Sequence, residues 1–122
     1  MLILMCVMQS AVLAQDSLTI VSYNVENLFD CEHDTLKNDS SFLPHGLHHW
    51  NDHHYQTKLN RIAQVIVNIS GWESAALVGL CEVENKRCLR DLCYRLRRFH
   101  YQYVHYESDD ERGIDVDRKS VV

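Results

Sequence analysis

With one proline, Pro44, among 122 residues, the chain has no low-complexity linker, and no internal repeat divides it. Basic excess is missing too. Twelve Lys and Arg stand against 17 Asp and Glu, giving a formal charge of −5, so the broad positive footprint that holds a phosphate backbone is absent. The longest apolar run, at the N-terminus, is about a dozen residues, where a bilayer-spanning helix needs roughly 20. No Cys or His pair has zinc-finger spacing. What remains is an ordinary globular composition, 46% hydrophobic, which excludes a disordered protein. The length admits at most one small domain.

The apolar run Met1-Leu2-Ile3-Leu4-Met5-Cys6-Val7-Met8 leads to Val12-Leu13-Ala14, small at the positions signal peptidase reads. No Lys or Arg precedes it, so the usual positive n-region is missing; a buried N-terminal strand or helix is the alternative. We expect residues 1–14 to be a signal peptide, and the product to be secreted or periplasmic. Without it, Cys31, Cys81, Cys88 and Cys93 remain. Cys88 and Cys93, five apart on a predicted helix, point to different faces beyond disulfide reach. Free thiols acting as small hydrophobes are the expected state.

Leu18-Thr19-Ile20-Val21-Ser22-Tyr23 and Ala75 to Val83 are short apolar runs that read as strands buried on both faces. Between them, Asp30 to about Asn51 is a polar surface loop of the kind that often carries recognition. Tyr55, Leu59, Ile62, Ile66 and Ile69 then form the stripe of an amphipathic helix, with Asn51 or Asp52 as N-cap and Gly71 past its end. A second helix is predicted from about Lys86 to Phe99, with Leu89, Leu92, Cys93, Leu96 and Phe99 inward. Tyr101 to Tyr106 alternates as a third strand. Strand, helix, strand, helix, strand is the order of a layered α/β domain.

Chemistry gathers where the two apolar runs end. Asn24 follows the first and Glu82 interrupts the second. An amide and a carboxylate at the ends of neighbouring strands would line one oxygen-rich pocket, the setting a hard cation such as magnesium requires. The plainer alternatives are an Asn that satisfies strand-end backbone groups and a solvent-exposed Glu. Asn85 reads as the cap of the second helix with Glu84 facing water. Glu26, Asn27 and Asp30 border the same cleft. Five arginines (Arg87, Arg90, Arg95, Arg97, Arg98) cluster on the second helix, where a solvated face is the common explanation. His45, His48, His49, His53 and His54, with His33 nearby, read as loop histidines, with zinc binding as the alternative.

Tyr23-Asn24-Val25-Glu26-Asn27-Leu28-Phe29, Gly79-Leu80-Cys81-Glu82-Val83-Glu84-Asn85 and Asp109-Asp110-Glu111-Arg112-Gly113-Ile114-Asp115-Val116 together resemble the N-terminal part of the endonuclease/exonuclease/phosphatase superfamily, the deoxyribonuclease I-like fold. The resemblance covers roughly residues 17 to 116. It implies an α/β (α+β) chain forming the N-terminal part of a four-layer α/β/β/α sandwich, and metal-dependent hydrolysis of a phosphate ester. It assigns Glu82 as a direct metal ligand and Asn24 as a catalytic and metal-contacting residue. The metal is expected to be Mg2+, with Mn2+ or Ca2+ as alternatives. Arg112 is a candidate phosphate-binding residue, its planar fork suited to that group; a salt bridge to Glu111 or Asp110 is the alternative. Nucleic acid, phospholipid headgroup and small phosphate all stand as substrates, for a monomer without a transmembrane segment.

The family's general base and phosphate-orienting histidine would lie past Val116. There, Asp117-Arg118-Lys119-Ser120-Val121-Val122 reads as a non-native tail, with a genuine charged tail as the alternative. The expectation is therefore a domain portion at 15–116, inactive as written, with a non-catalytic secreted binding protein as the alternative.

Overall fold

The computed structural model describes residues 17–106 and, as backbone, Ser120 and Val121. Two parallel strands form its centre: β1 (Ile20–Leu28) and β2 (Leu77–Val83), paired from Ile20 opposite Leu77 to Asn24 opposite Cys81. A two-residue strand, β3 (Ser120–Val121), lies antiparallel on the far edge of β2, giving the order β1-β2-β3.

Parallel neighbours need a long crossover, and helix α1 (Asp52–Ser70) supplies it. Its start follows from the sequence: Asn51 is extended, and its side chain accepts the His54 N–H at 3.1 Å. Its end is Gly71 at φ 66, whose N–H reaches the Val67 carbonyl; that conformation favours a residue without Cβ. Tyr55, Leu59, Ile62 and Ile66 are buried as the stripe predicts, joined by Ala63, but Ile69 in the last turn emerges at 55% exposure.

Helix α2 (Lys86–Arg95) begins at Asn85, whose side chain accepts the Cys88 N–H. It stops sooner than its apolar pattern predicts. The chain tightens at Arg97–Phe99, where Phe99 N–H bonds Leu96 O and His100 N–H bonds Arg97 O. These three-residue closures are the usual tightening of a final turn, and they keep Leu96 buried with Phe99 packed against the core.

One core fills the space between the sheet and both helices. Leu28, Leu59, Ile66, Val78, Leu80, Val83, Leu89 and Leu92 have no exposed surface in it. The reading of both strands as buried on two faces holds for Val78 to Leu80 and fails for β1, where Ile20 is 61% exposed and Ser22 and Asn24 lie open. Among the described residues the helices cover one face only. The third predicted strand also does not form. Tyr101–Tyr106 makes a single bridge, at Val104, and is anchored by the Tyr101 hydroxyl donating to Ala75 O at 2.9 Å. A side-chain tether takes the place of a ladder.

The loop after β1 is organised by Asp39, 1% exposed, which accepts from the Asp34 N–H at 2.7 Å and bonds His33 Nδ1 at 2.6 Å. Phe42 stacks between Phe29 and His48. Gly46 is required there, since a Cβ would lie 2.1 Å from the Ser40 carbonyl oxygen. The four described cysteines, Cys31, Cys81, Cys88 and Cys93, are free.

Candidate functional site

The sheet register slips where the polar residues begin. Between the pairs Asn24–Cys81 and Leu28–Val83, β1 advances four residues while β2 advances two. The surplus is taken up by Glu26 (φ 55) and Asn27 (φ 63), with Glu82 on the facing strand also left-handed at φ 63. Asn tolerates that region, but Glu has no such preference, and each such residue costs about 1–3 kcal/mol. Three strained residues at one spot persist only if their surroundings hold them.

The surroundings are specific. Asn24 Oδ1 accepts the Glu26 N–H at 2.8 Å, closing a local turn, and Asn24 Nδ2 donates to Glu82 Oε1 at 2.9 Å. Glu82 Oε2 accepts the Asn27 N–H at 3.1 Å. From α1, Lys58 Nζ donates to the carbonyls of Glu26 and Asn27, the latter at 3.3 Å. The amide and the carboxylate singled out in the sequence are thus joined directly across 58 residues of chain. Asn24 here satisfies backbone and aims Glu82 at the same time. Each carboxylate oxygen holds one donor and keeps lone-pair capacity for another partner.

Neither strand-end motif marks Lys58. It stands three after Tyr55 and four before Ile62, at the edge of the buried stripe, and a cation there was the available signal. Burial pulls its ammonium below the ordinary lysine pKa, while the charges of Glu26 and Glu82 oppose that shift.

A second cluster lies one step along the strands. Glu84 Oε2 accepts the Asp30 N–H at 2.8 Å, and Asn85 Nδ2 donates to Asp30 Oδ2 at 3.0 Å and to Glu84 Oε2 at 3.3 Å. Asn85 caps α2 as the sequence indicates, but Glu84 does not face water. It is half-buried. Burial pushes its carboxyl up to about 8, helped by the charges of Asp30, Asp39 and Asp34 and opposed by the Asp30 N–H bond.

Among the described residues no three His, Cys, Asp or Glu side chains converge to hold a metal. The loop histidines do not gather, and His33 is bonded to Asp39. Arg112 lies outside the described residues, as do the leader and the Asp109–Val116 stretch. No helix among the described residues is long and apolar enough to cross a membrane.

Comparison with known proteins adds one match. The model of the endonuclease/exonuclease/phosphatase family aligns with residues 19–119, a span that includes both parallel strands, both helices and the Asn24–Glu82 pair. No curated protein and no solved structure matches.

Proposed function

The chain belongs to the endonuclease/exonuclease/phosphatase family, and from that premise we propose that Glu82 and Asn24 form one wall of a magnesium-dependent site for phosphate-ester hydrolysis. The observation that carries this is the Asn24–Glu82 bond at 2.9 Å, set between two strand ends and stiffened by the Asn27 N–H. An all-oxygen donor pre-aimed by two hydrogen bonds fits a hard cation, which keeps several waters and needs few protein ligands. When bound, a divalent cation neutralises charge on the non-bridging phosphate oxygens. Glu82 would hold it, with Mn2+ or Ca2+ as substitutes for Mg2+.

Asn24 fixes the rotamer of Glu82 and keeps its second amide proton for a substrate oxygen. Lys58 holds the left-handed segment from behind. The groups that activate water are proposed to lie outside the described residues. Arg112, also outside them, is proposed to contact the substrate phosphate.

The open face of the sheet, with Ile20 and Leu77 exposed where β1 and β2 start, is in this reading the inner face that a second sheet covers, completing a four-layer sandwich. The substrate is a nucleic acid, a phospholipid headgroup or a small phosphate, and the protein acts as a monomer. Residues 1–14 are proposed to direct it to the secreted or periplasmic space; N-terminal sequencing of exported protein beginning at Gln15 supports this, and retention of Met1 refutes it.

Mn2+ binding followed by electron paramagnetic resonance tests the site itself. Glu82→Gln should weaken binding by about tenfold or more, and Glu84→Gln should leave it within about threefold, a tenfold change being about 1.4 kcal/mol. Equal binding by wild type and Glu82→Gln would remove Glu82 from the metal.

A further inference from the structure

The arginines of the second helix are already engaged. Arg87 pairs with Glu32, Arg90 with Asp91 at 3.1 Å, and Arg95 with Gln56 and with Asn60 at 2.7 Å. Arg97 and Arg98 lie over the rings of Tyr94 and Phe99 at 5.1 and 5.2 Å. Arg61 on α1 differs. It is exposed, and among the described residues it has no hydrogen-bond or ion-pair partner.

Arg61 opens onto a groove of about 500 Å³ between the start of α1 and the end of β1, lined also by Tyr23, Glu26, Trp50, His54 and Lys58. Lys58 and Arg61, three apart, share one helix face. An adjoining hollow of about 460 Å³ shares Glu26, Trp50, His54 and Lys58 and extends the groove to Asn27, whose N–H holds Glu82. The groove thus ends at the residue bonded to Glu82, although neither Asn24 nor Glu82 lines it. Trp50 is set in place by Nε1 donating to Phe29 O at 2.8 Å.

We propose that this groove is a nucleotide subsite. It takes the unit next to the hydrolysed ester, with its further phosphate at Arg61 and its base along the wall formed by Trp50 and the His54 ring stacked on it at 6.0 Å. Lys58 lies beside that wall, its Nζ 5.6 Å over the indole and held by the Glu26 and Asn27 carbonyls. The chemistry selects among ester types. Inorganic phosphate would use the cations and leave the indole idle. An acyl chain would meet Glu26, Lys58 and Arg61 in place of a continuous apolar wall. A nucleotide matches both halves, a flat ring for an aromatic wall and an anion for a guanidinium, while Glu26 can accept from a sugar hydroxyl. The proposal rests on Glu82 as the hydrolytic centre for its orientation, and not for its binding.

The test reads Trp50 directly. The only other tryptophan, Trp72, is 92% exposed, so Trp72→Phe leaves Trp50 as the sole indole without disturbing the core. In that background, with EDTA present, adenosine bisphosphate is titrated against indole emission, beside inositol bisphosphate and inorganic phosphate. Adenosine bisphosphate should shift the emission saturably, and Arg61→Ala should weaken its binding about tenfold. Arg61 has no partner to lose among the described residues, so misfolding does not confound the variant. Unchanged affinity in Arg61→Ala, or inositol bisphosphate or phosphate binding as tightly as the nucleotide, overturns the proposal. Nucleotide binding through Arg61 without any Glu82-dependent metal binding would support the groove and sink the hydrolytic reading alone.

Discussion

Glu82→Gln tests the site and the folding argument together, because the substitution keeps the shape and changes what each atom offers. In the parent, one carboxylate oxygen accepts from Asn24 Nδ2 and the other from the Asn27 N–H. A glutamine has one oxygen and one NH2 group. If the NH2 faces Asn27, donor meets donor. If it faces Asn24, the Asn24 amide must flip, and its NH2 then confronts the Glu26 N–H that Oδ1 had accepted. Either way one bond of this network is lost, at about 1–3 kcal/mol. The unsatisfied group also falls within a segment that carries three left-handed non-glycine residues. With Lys58 nearby, the loss of charge adds to the effect. We expect a fall in stability of about 1–2 kcal/mol in EDTA, read as a urea midpoint.

The expected effect on magnesium-dependent hydrolysis by the active protein is larger, about 10²-fold or more, comparable with removing a main electrostatic contact. The two readouts separate cleanly. A domain stable by about 5 kcal/mol or more stays folded after losing 1–2 kcal/mol, so unfolding cannot account for a hundredfold loss. Full turnover at limiting magnesium would refute Glu82 as ligand. An unchanged or raised urea midpoint in EDTA would refute the account of how Glu82 supports the slipped strand.

Glu84 predicts a pH dependence of folding. Its carboxyl is raised from 4.5 to about 8 in the folded chain, so the unfolded chain releases that proton first. Its stabilising contribution is then full below pH 4.5 and lost as pH rises towards 8. Glu84→Gln in EDTA should match wild type near pH 4 and exceed it in urea midpoint near pH 9; parallel curves would show that Glu84 ionises normally. Leu59→Ala, at a fully buried position facing the sheet, should cost about 2–5 kcal/mol, and a denaturation shift under 1 kcal/mol would contradict the packing. Gly46→Ala should destabilise the loop by driving a methyl into the Ser40 carbonyl, seen as faster amide exchange at His48 and His49; unchanged exchange would show that the loop yields.

What the sequence determined by itself was whatever depends on neighbours in the chain. Asn51, Gly71 and Asn85 terminate helices through bonds to residues three or four away, so their roles could be read directly. The Tyr55–Ile66 stripe has the helical period whatever it packs against. The polar residues that end two apolar runs marked Asn24 and Glu82, and the structure joins them. Tertiary structure decided the rest. Nothing about glutamate requests a left-handed backbone, and Glu26 and Glu82 adopt it because two strands of unequal advance must meet again at Leu28 and Val83. Glu84 is held half-buried by the Asp30 N–H and by Asn85, partners that only the fold brings to it and against the expectation that it faces water. Lys58 gained its role only when α1 came to lie over the slipped segment. Tyr101–Tyr106, alternating as a strand should, makes one bridge and no ladder, because period two prescribes a face and only a neighbouring strand in register supplies the hydrogen bonds.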